Sequence, residues 1–266
     1  MHTWHWRNWE GLPYLTCSIL ENWHHGFFTQ QFWPRSPQDI TPILQPEASV
    51  YRLKQVHGNT VLTPEEVESS LKALGDDLAS ADGLISEQPL QAIWVASADC
   101  TPVLIGDVKT GQVAAIHAGW RGTAKKIVPQ AIARLQSQGS QLDDLRIAMG
   151  PAIAGEVYQV SIEVAAEIGA TIIPDNNEGK IITALHLLPN SPLLEDANSG
   201  KVRLDVRRVN TLQLESLGIT GEQIAIAPYC TFQTPEHFFS YRREKEKKVQ
   251  WSGIVSRKTT GISQKF

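Results

Sequence analysis

The sequence has few cysteines, and they lie far apart. Cys17, Cys100 and Cys230 form no Cys-x-x-Cys pair and show no dense spacing. This pattern excludes a small secreted fold that is held together by disulfide bonds. An odd number of scattered thiols is typical of a reducing compartment, so we expect a cytoplasmic protein.

Long hydrophobic runs and an excess of basic charge are also missing. No stretch approaches the ~18 consecutive apolar residues of a membrane span, and residues 1–7 have no uninterrupted apolar segment of the signal-peptide kind. The formal net charge is -4 and no basic arm is present, so no general attraction to nucleic-acid phosphates is expected. We therefore predict neither a membrane nor a nucleic acid as a partner.

The length and the apolar content are sufficient for one large core. With 266 residues, of which 42% are hydrophobic, the chain is predicted to form a single domain over residues 1–266. Five of the 8 tryptophans lie within residues 1–33. Because aromatic side chains bury large areas, the segment of about residues 1–45 is predicted to pack on that core.

Short apolar runs and capping residues predict alternating strands and helices. The predicted strands cover residues 92–98, 102–107, 113–116, 146–149, 224–227 and 251–255. The predicted helices cover residues 65–74, 124–136 after Thr123 as N-cap, 162–168 after Ser161, and 206–217 between Asp205 and Gly218. Residues 174–200, rich in Asn, Asp, Pro and Gly, are predicted to be a surface excursion.

Two histidines and a cysteine are candidate metal ligands. Cys100 follows one predicted strand and His117 ends another, in what we interpret as one sheet, and His57 lies in a separate Gly-containing turn. Three protein ligands would leave tetrahedral zinc one open position, which is the catalytic arrangement. Each residue could equally occupy an ordinary turn or core position, so the spacing alone leaves both interpretations open.

Six short strings, in this order along the chain, resemble the YfiH-type family, known variously as laccase-domain, polyphenol oxidase or purine nucleoside phosphorylase proteins. The strings are residues 55–58 (QVHG), 81–84 (ADGL), 99–103 (DCTPV), 117–122 (HAGWRG), 150–153 (GPAI) and 238–243 (FFSYRR). The HAGWRG string is the most specific of them, and together they cover most of the chain.

The resemblance implies both a fold and an activity. The implied fold is α+β, a single domain of mixed β-sheets flanked by helices in a YfiH-like sandwich. The implied cofactor is one Zn²⁺ per chain, held by His57, Cys100 and His117, which would also be the catalytic residues. The implied substrates are a purine nucleoside and phosphate: adenosine, inosine or methylthioadenosine would be cleaved to the base and ribose 1-phosphate, and adenosine would also be deaminated.

Four residues near these strings are candidates for binding the substrates. Arg121, at a predicted helix start, combines a guanidinium with backbone N–H groups and is suited to phosphate. Arg242 is a candidate second clamp, and Tyr241 a candidate platform for a purine. Asp99 adjoins a metal-ligand candidate. Asp82 and Glu156 are further carboxylates near the strings, although Asp82-Gly83 also has the composition of a turn.

The chain departs from the family pattern at three places. Gln30–Trp33 stands where relatives commonly carry an arginine and a Gly-Gly turn, Lys248-Val249 replaces a common Gly-Arg, and Ala154-Gly155-Glu156 follows GPAI where many members carry cysteine. These departures concern substrate preference and leave the three metal-ligand candidates in place.

Several alternatives to the zinc enzyme remain at this point. Cys100 could be a nucleophile with His57 or His117 as its base, and either this mechanism or the metal would suit an amidase that edits cell-wall precursors. A copper polyphenol oxidase is a weaker alternative, because the chain has 8 histidines and no His-x-His pair. A binding module without catalysis is the third class.

Overall fold

Alternate side chains of the strand Thr101–Asp107 lie in two different cores. Leu104 belongs to one cluster of buried residues, whereas Val103 and Ile105 belong to another. This is the two-residue period of a strand that is covered on both faces. The computed structural model describes residues 2–74 and 78–258, and its central layers follow this pattern.

The described residues form fifteen strands, numbered in chain order. They are β1 (Trp4–Trp9), β2 (Leu12–Cys17), β3 (His25–Phe28), β4 (Ser49–Tyr51), β5 (Val61–Leu62), β6 (Gly83–Ile85), β7 (Gln91–Ser97), β8 (Thr101–Asp107), β9 (Val113–Ala118), β10 (Leu145–Met149), β11 (Gln159–Ser161), β12 (Leu193–Glu195), β13 (Lys201–Leu204), β14 (Ile224–Ile226) and β15 (Gln250–Val255).

The same residues form eight α-helices. They are α1 (Pro37–Leu44), α2 (Pro64–Leu74), α3 (Trp120–Ala124), α4 (Ile127–Ser137), α5 (Ile162–Gly169), α6 (Glu178–His186), α7 (Val206–Ser216) and α8 (Tyr241–Glu244). Within the described ranges, no helix is both long and apolar enough to cross a membrane.

Two mixed sheets pack face to face. The first has the order β1-β2-β3-β15-β7-β4 and the second β14-β10-β8-β9-β6-β5. Each sheet contains parallel and antiparallel pairs, such as β4 with β7 and β8 with β9. Side chains from both sheets, among them Phe27, Ile93, Leu104 and Ala115, share one buried cluster. The predicted α+β domain of mixed sheets flanked by helices is therefore confirmed.

Helices cover the outer faces of both sheets. The apolar side of α4, with Ile127 and Leu135, packs on the outer face of the second sheet. Ile40 and Leu44 of α1 pack with Trp94 on the outer face of the first sheet. The resulting order of layers is helix, sheet, sheet, helix, with the main core between the sheets.

The segment of residues 1–45 is part of the first sheet itself. It supplies β1, β2 and β3, followed by α1. Trp23 is 4% exposed between the sheets, where its indole lies so close to Gly106 that a Cβ there would be 2.7 Å from the ring. Trp33, by contrast, is 51% exposed. The aromatic residues of this segment thus divide between core and surface.

The helix predicted over residues 124–136 is two helices, and this part of the prediction is wrong. α3 begins at Trp120 with Gly119 as its N-cap, and α4 begins after Lys126, which has a left-handed φ of 57°. A helix continuing through this region would place the Pro129 ring against a carbonyl of the preceding turn. Restarting at Ile127 places Pro129 in the first turn, where no N–H is needed.

The surface excursion predicted for residues 174–200 is mostly exposed, but it has secondary structure of its own. These residues contain α6 and β12, and β12 joins β13 and β11 in a three-stranded antiparallel sheet. Ile181 and Leu185 are buried against α5 in a separate apolar cluster. The predicted N-caps Ser161 and Asp205 are confirmed, since each side chain accepts a hydrogen bond from the first turn of its helix.

Candidate metal centre

The β8–β9 hairpin brings Cys100 and His117 to the same end of the second sheet. In the antiparallel register Thr101 lies opposite Ala118 and Pro102 opposite His117, and Cys100 immediately precedes β8. The strand before Cys100, β7, belongs to the first sheet, so the prediction of a single sheet for both residues is wrong. Cys100 lies where the chain crosses from one sheet to the other.

His57 completes the group from the connection between β4 and β5. One ligand atom from each of His57, Cys100 and His117 lies within 4.8 Å of the others. The two imidazole centroids are 4.9 Å apart at an interplanar angle of 79°. His117 is buried, Cys100 is half-buried and His57 is exposed, so the group opens to solvent on the His57 side.

A buried carboxylate holds the His57 turn in place. Asp82 is 0% exposed and accepts hydrogen bonds from the backbone N–H groups of Val56 at 3.1 Å, His57 at 2.9 Å and Gly58 at 2.7 Å. His57 has a left-handed φ of 59°, which is unfavourable for a residue with a Cβ. The three hydrogen bonds to Asp82 offset that strain and fix the position of the His57 side chain.

Asp82 also orients His117. Its Oδ1 accepts a hydrogen bond from Nδ1 of His117 at 2.9 Å, and its backbone carbonyl accepts from the His117 N–H at 2.8 Å. This leaves Nε2 of His117 as the atom available to Cys100 or a metal. Burial by itself would raise the pKa of Asp82, but the hydrogen bonds from His117 and Gly58 hold it below the usual range.

The Cys100 thiol and the His117 imidazole shift each other's titration. Burial opposes ionisation of Cys100, but the charge of His117 and hydrogen bonds from both histidines lower the pKa of Cys100 to about 6. Burial likewise opposes protonation of His117, but the Cys100 thiolate and Asp82 raise its pKa to about 9. Both shifts favour a thiolate–imidazolium pair when no metal is bound.

Gly119 allows the three groups to converge. A Cβ at this position would lie 2.6 Å from Sγ of Cys100 and 3.6 Å from Cδ2 of His57. The first distance is shorter than any normal contact between these atoms, so no larger residue fits unless Cys100 moves. Glycine is therefore required at position 119 because Sγ of Cys100 lies so close to the backbone there.

The other two cysteines are structural. Cys17 is buried between the sheets, and its burial raises the pKa to about 11. Sγ of Cys230, also buried, accepts a hydrogen bond from the Ala154 N–H at 3.2 Å. The raised pKa of Cys17 contrasts with the pKa of Cys100, which its neighbours lower.

Three of the four candidate substrate residues either line the small cavity beside Cys100 or stack on rings that line it. The Arg121 guanidinium stacks on the Trp120 ring at 4.4 Å, and that of Arg242 stacks on the Tyr158 ring at 4.8 Å. Trp120, Tyr158 and Asp99 line the same small cavity as Cys100. The fourth residue, Tyr241, is 51% exposed at the start of α8.

Asp99 makes contacts within the protein with both carboxylate oxygens. Oδ1 accepts a hydrogen bond from the Thr231 hydroxyl at 2.8 Å, and Oδ2 accepts from the Arg242 N–H at 2.7 Å. Its backbone carbonyl accepts from the Ile153 N–H at 3.0 Å. Asp99 therefore anchors the first turn of α8, which carries Tyr241 and Arg242, beside the metal-ligand candidates.

Tyr158 is a residue of this site that the sequence did not reveal. Burial raises its pKa to about 12, with a further contribution from the nearby Cys100 charge. No short motif marks it, because Tyr158 and Cys100 are far apart in the sequence and come together only where both line the same cavity. Glu156, a candidate carboxylate in the sequence, is exposed and does not line this cavity.

Comparison with known proteins agrees with this architecture. A protein named YfiH from Bacillus licheniformis superposes with a TM-score of 0.76 at 23% sequence identity, over 95% of this chain and 99% of that one. YlmD from Geobacillus stearothermophilus gives a TM-score of 0.76 at 20% identity, over 95% and 98% of the two chains. These similarities show the fold, a two-sheet α+β domain.

The chain belongs to the family described as multi-copper polyphenol oxidoreductase laccase, the YfiH-type family, whose model matches residues 39–257. A purine nucleoside phosphorylase of Synechocystis sp. is 52% identical over 256 residues, which are 95% of this chain and 97% of that protein. An adenosine deaminase from an unknown prokaryotic organism is 30% identical over 189 residues, covering 71% and 64% of the two chains.

The name of the family refers to several coppers, whereas the metal-ligand candidates of this chain are few. In the described part of the chain, one group of three His, Cys, Asp or Glu side chains has the spacing of a metal site. A multicopper oxidase holds four coppers, largely through imidazoles, whereas the whole sequence has 8 histidines. One of these, His25, is committed elsewhere, since its ring bonds the Cys17 N–H and the Trp23 carbonyl. The residues fit a mononuclear centre.

Proposed function

We propose that this protein is a zinc-dependent purine nucleoside enzyme. It would cleave adenosine, inosine or methylthioadenosine with phosphate to the base and ribose 1-phosphate, and would also deaminate adenosine. The observation that carries the proposal is the convergence of His57, Cys100 and His117 within 4.8 Å. The 52% identity to a purine nucleoside phosphorylase supports the choice of substrate.

The donor set fits zinc. Two imidazoles and a thiolate are ligands that zinc prefers, and three protein ligands are the number found in catalytic sites. The Asp82–His117 hydrogen bond is the carboxylate–histidine contact that orients metal-binding imidazoles. When bound in such a site, zinc supplies Lewis acidity and brings the pKa of water close to neutrality. Copper would also bind these donors, since it exceeds zinc in general affinity.

Arg121 and Arg242 are suited to hold phosphate. Each guanidinium stacks on a ring that lines the Cys100 cavity, and this stacking favours one orientation of its plane. The Arg242 Nη1 donates to the Gln159 carbonyl at 3.0 Å, which further limits its motion. Two oriented guanidinium groups favour a phosphate through charge-assisted hydrogen bonds.

Asp99 and Tyr241 have distinct roles in this proposal. Asp99 positions Arg242 through the backbone hydrogen bond at 2.7 Å, and each of its carboxylate oxygens keeps a lone pair that can accept a hydrogen bond from the substrate. Tyr241, half-exposed beside Arg242, offers a ring on which a purine can stack. Tyr158 stays neutral, because its pKa is raised to about 12, and so adds no negative charge near the phosphate.

Product identification tests the reaction. The zinc-loaded protein is incubated with adenosine, with and without inorganic phosphate, and the bases and nucleosides are separated chromatographically. Adenine that forms only with phosphate, accompanied by some inosine in both samples, is the expected result. If neither product appears, or if adenine forms equally without phosphate, the proposed phosphorolysis is wrong.

A second candidate function uses Cys100 as a nucleophile. The lowered pKa of Cys100, the raised pKa of His117 and the Asp82 hydrogen bond are the features of an activated Cys–His pair with an orienting carboxylate. An amidase acting on cell-wall precursors would suit this chemistry. The same sulfur cannot readily serve as nucleophile and metal ligand, so the two functions make different predictions.

Alkylation of Cys100 separates the two functions. Cys17 and Cys230 are buried, so iodoacetamide labelling of the folded protein reports mainly on Cys100. If the sulfur binds zinc, stoichiometric zinc protects it, and labelling becomes fast only after chelation. Equal and rapid labelling with and without zinc would favour the cysteine nucleophile.

A further inference from the structure

A second cavity lies close to the metal centre but does not open into it. It has a volume of about 550 Å³ and is lined by residues 190–191, 205, 207–208 and 226–230, with Ala154, Glu156 and Gln233. Its size lies within the range of small-molecule sites. Exposed Gln233 and Ile226 stand at its wall.

Neighbouring residues of the same backbone segments line the two cavities, but no residue lines both. Ile153 and Val206 line the Cys100 cavity, whereas their neighbours Ala154, Asp205 and Arg207 line the larger one. Successive residues of one backbone segment thus face opposite sides. A ligand in the larger cavity would therefore contact neither the three metal-ligand candidates nor Arg121 and Arg242.

Arg207 is a buried cation in the wall of this larger cavity. The residue is only 8% exposed, and its Nη1 donates to the carbonyls of Ala227 at 3.0 Å and Tyr229 at 3.3 Å. Its Nε is buried and, within the described residues, has no hydrogen-bond partner. The protein therefore leaves part of the hydrogen-bonding capacity of this guanidinium unused.

The charge of Arg207 is only weakly compensated. The nearest carboxylate oxygen, Oδ1 of Asp205, is 3.8 Å from Nε and already accepts from the N–H groups of Arg207 and Arg208 at the start of α7. The adjacent Arg208, in contrast, pairs with Glu215 at 3.1 Å. A buried charge without a close partner is costly, and an anionic ligand would offset that cost.

We propose that this cavity binds a small organic anion through Arg207. The guanidinium would hold a phosphate or carboxylate group by charge-assisted hydrogen bonds, and Ile226 and Pro228 would contact an apolar part of the ligand. The site is separate from the metal centre and does not depend on the proposed reaction.

Calorimetric titration of the zinc-loaded protein tests this site. The probes are adenosine monophosphate, inorganic phosphate and succinate, so that the phosphate group, the nucleoside part and a carboxylate are distinguished. Arg207 itself is a poor first target, because its contacts to residues 227 and 229 support the fold. Gln233→Glu instead adds a negative charge at the exposed wall of the cavity. Gln136→Glu adds the same charge at an exposed position of α4 outside the cavity and serves as the control.

The proposal expects at least one probe to bind wild type and Gln136→Glu equally, and Gln233→Glu at least about tenfold more weakly, because like charges repel at short range. Binding must also persist in His57→Ala, which alters the metal centre alone. Binding that is lost in His57→Ala but unchanged in Gln233→Glu would belong to the metal centre and would overturn the proposal. So would the lack of saturable binding of all three probes at millimolar concentration.

Discussion

Nδ1 of His117 donates a hydrogen bond to Oδ1 of Asp82 at 2.9 Å. The same carboxylate binds the N–H groups of residues 56–58, so one buried side chain sets the position of two of the three metal-ligand candidates. Asp82 contributes no atom to the candidate ligand group, yet the geometry of that group depends on it.

Asp82→Asn is expected to weaken zinc binding by about 10- to 100-fold, because an amide cannot accept all four hydrogen bonds or orient the imidazole as a carboxylate does. Zinc affinity, measured by competition with a chromophoric chelator, checks this. Asp107→Asn is the matched control: Asp107 is also 0% exposed, and its Oδ1 accepts two backbone N–H groups near the other end of β8. Equal zinc affinities in Asp82→Asn and wild type would contradict the role of Asp82.

Gly119→Ala is expected to displace Cys100. The added Cβ would lie 2.6 Å from Sγ, and metal sites tolerate errors of only about 0.2 Å in ligand distance. We expect zinc affinity to fall at least about tenfold, while the circular dichroism spectrum is retained. Gly221→Ala provides the control, since no atom lies within 4 Å of its added Cβ. If Gly119→Ala kept the zinc affinity of wild type, the close contact between Cys100 and the backbone at residue 119 would not be needed for zinc binding.

Arg121→Ala tests the phosphate site. Loss of one charge-assisted contact is expected to raise the KM for phosphate by about 10- to 100-fold, with the zinc content unchanged. Steady-state rates at varied phosphate concentration measure this. Arg35→Ala is the control, because Arg35 also stacks on a tryptophan, Trp9, at 5.8 Å but lies outside the site. An unchanged phosphate dependence in Arg121→Ala would remove this residue from the proposal.

The buried His25 predicts how stability depends on pH. Desolvation lowers the pKa of His25 to about 4. Its Nε2 accepts a hydrogen bond from the Cys17 N–H at 2.8 Å. Protonation of Nε2 would therefore bring its new hydrogen against the hydrogen of the Cys17 N–H. The unfolded chain takes up a proton at about pH 6.5. The His25 contribution is therefore complete above pH 6.5 and falls as the pH drops towards 4, by roughly 3 kcal/mol.

Denaturant unfolding between pH 4 and pH 8 measures that contribution. His25→Gln should be less stable at pH 8 and should show a weaker loss of stability on acidification than wild type. His24→Gln changes the exposed neighbouring residue and should follow the wild-type curve. Parallel curves for His25→Gln and wild type would show that His25 does not cause the pH dependence.

The sequence was most informative where the fold depends on local patterns. Short apolar runs predicted β8, β9 and β10, and side-chain caps predicted the starts of α5 and α7. The strings around Cys100 and His117 correctly predicted that metal-ligand candidates lie at the β8–β9 hairpin. These features depend on neighbours a few residues apart, which a single sequence displays.

Features that depend on distant contacts were missed. Asp82 acts through the His57 turn and the β6–β9 register, and Tyr158 reaches Cys100 through tertiary packing. The composition of residues 174–200 is typical of a loop, but burial of Ile181 and Leu185 against α5 stabilises a helix there. The position of Cys100 between two sheets, rather than in one, likewise follows from the overall topology.

The zinc content of the purified protein tests the central claim most directly. Elemental analysis by mass spectrometry, after removal of loosely bound metal, should give about one zinc per chain for wild type and almost none for Cys100→Ala, because the latter retains only two of three ligands. Equal zinc in both proteins, or several coppers per chain with a blue absorption band, would contradict a mononuclear zinc centre formed by His57, Cys100 and His117.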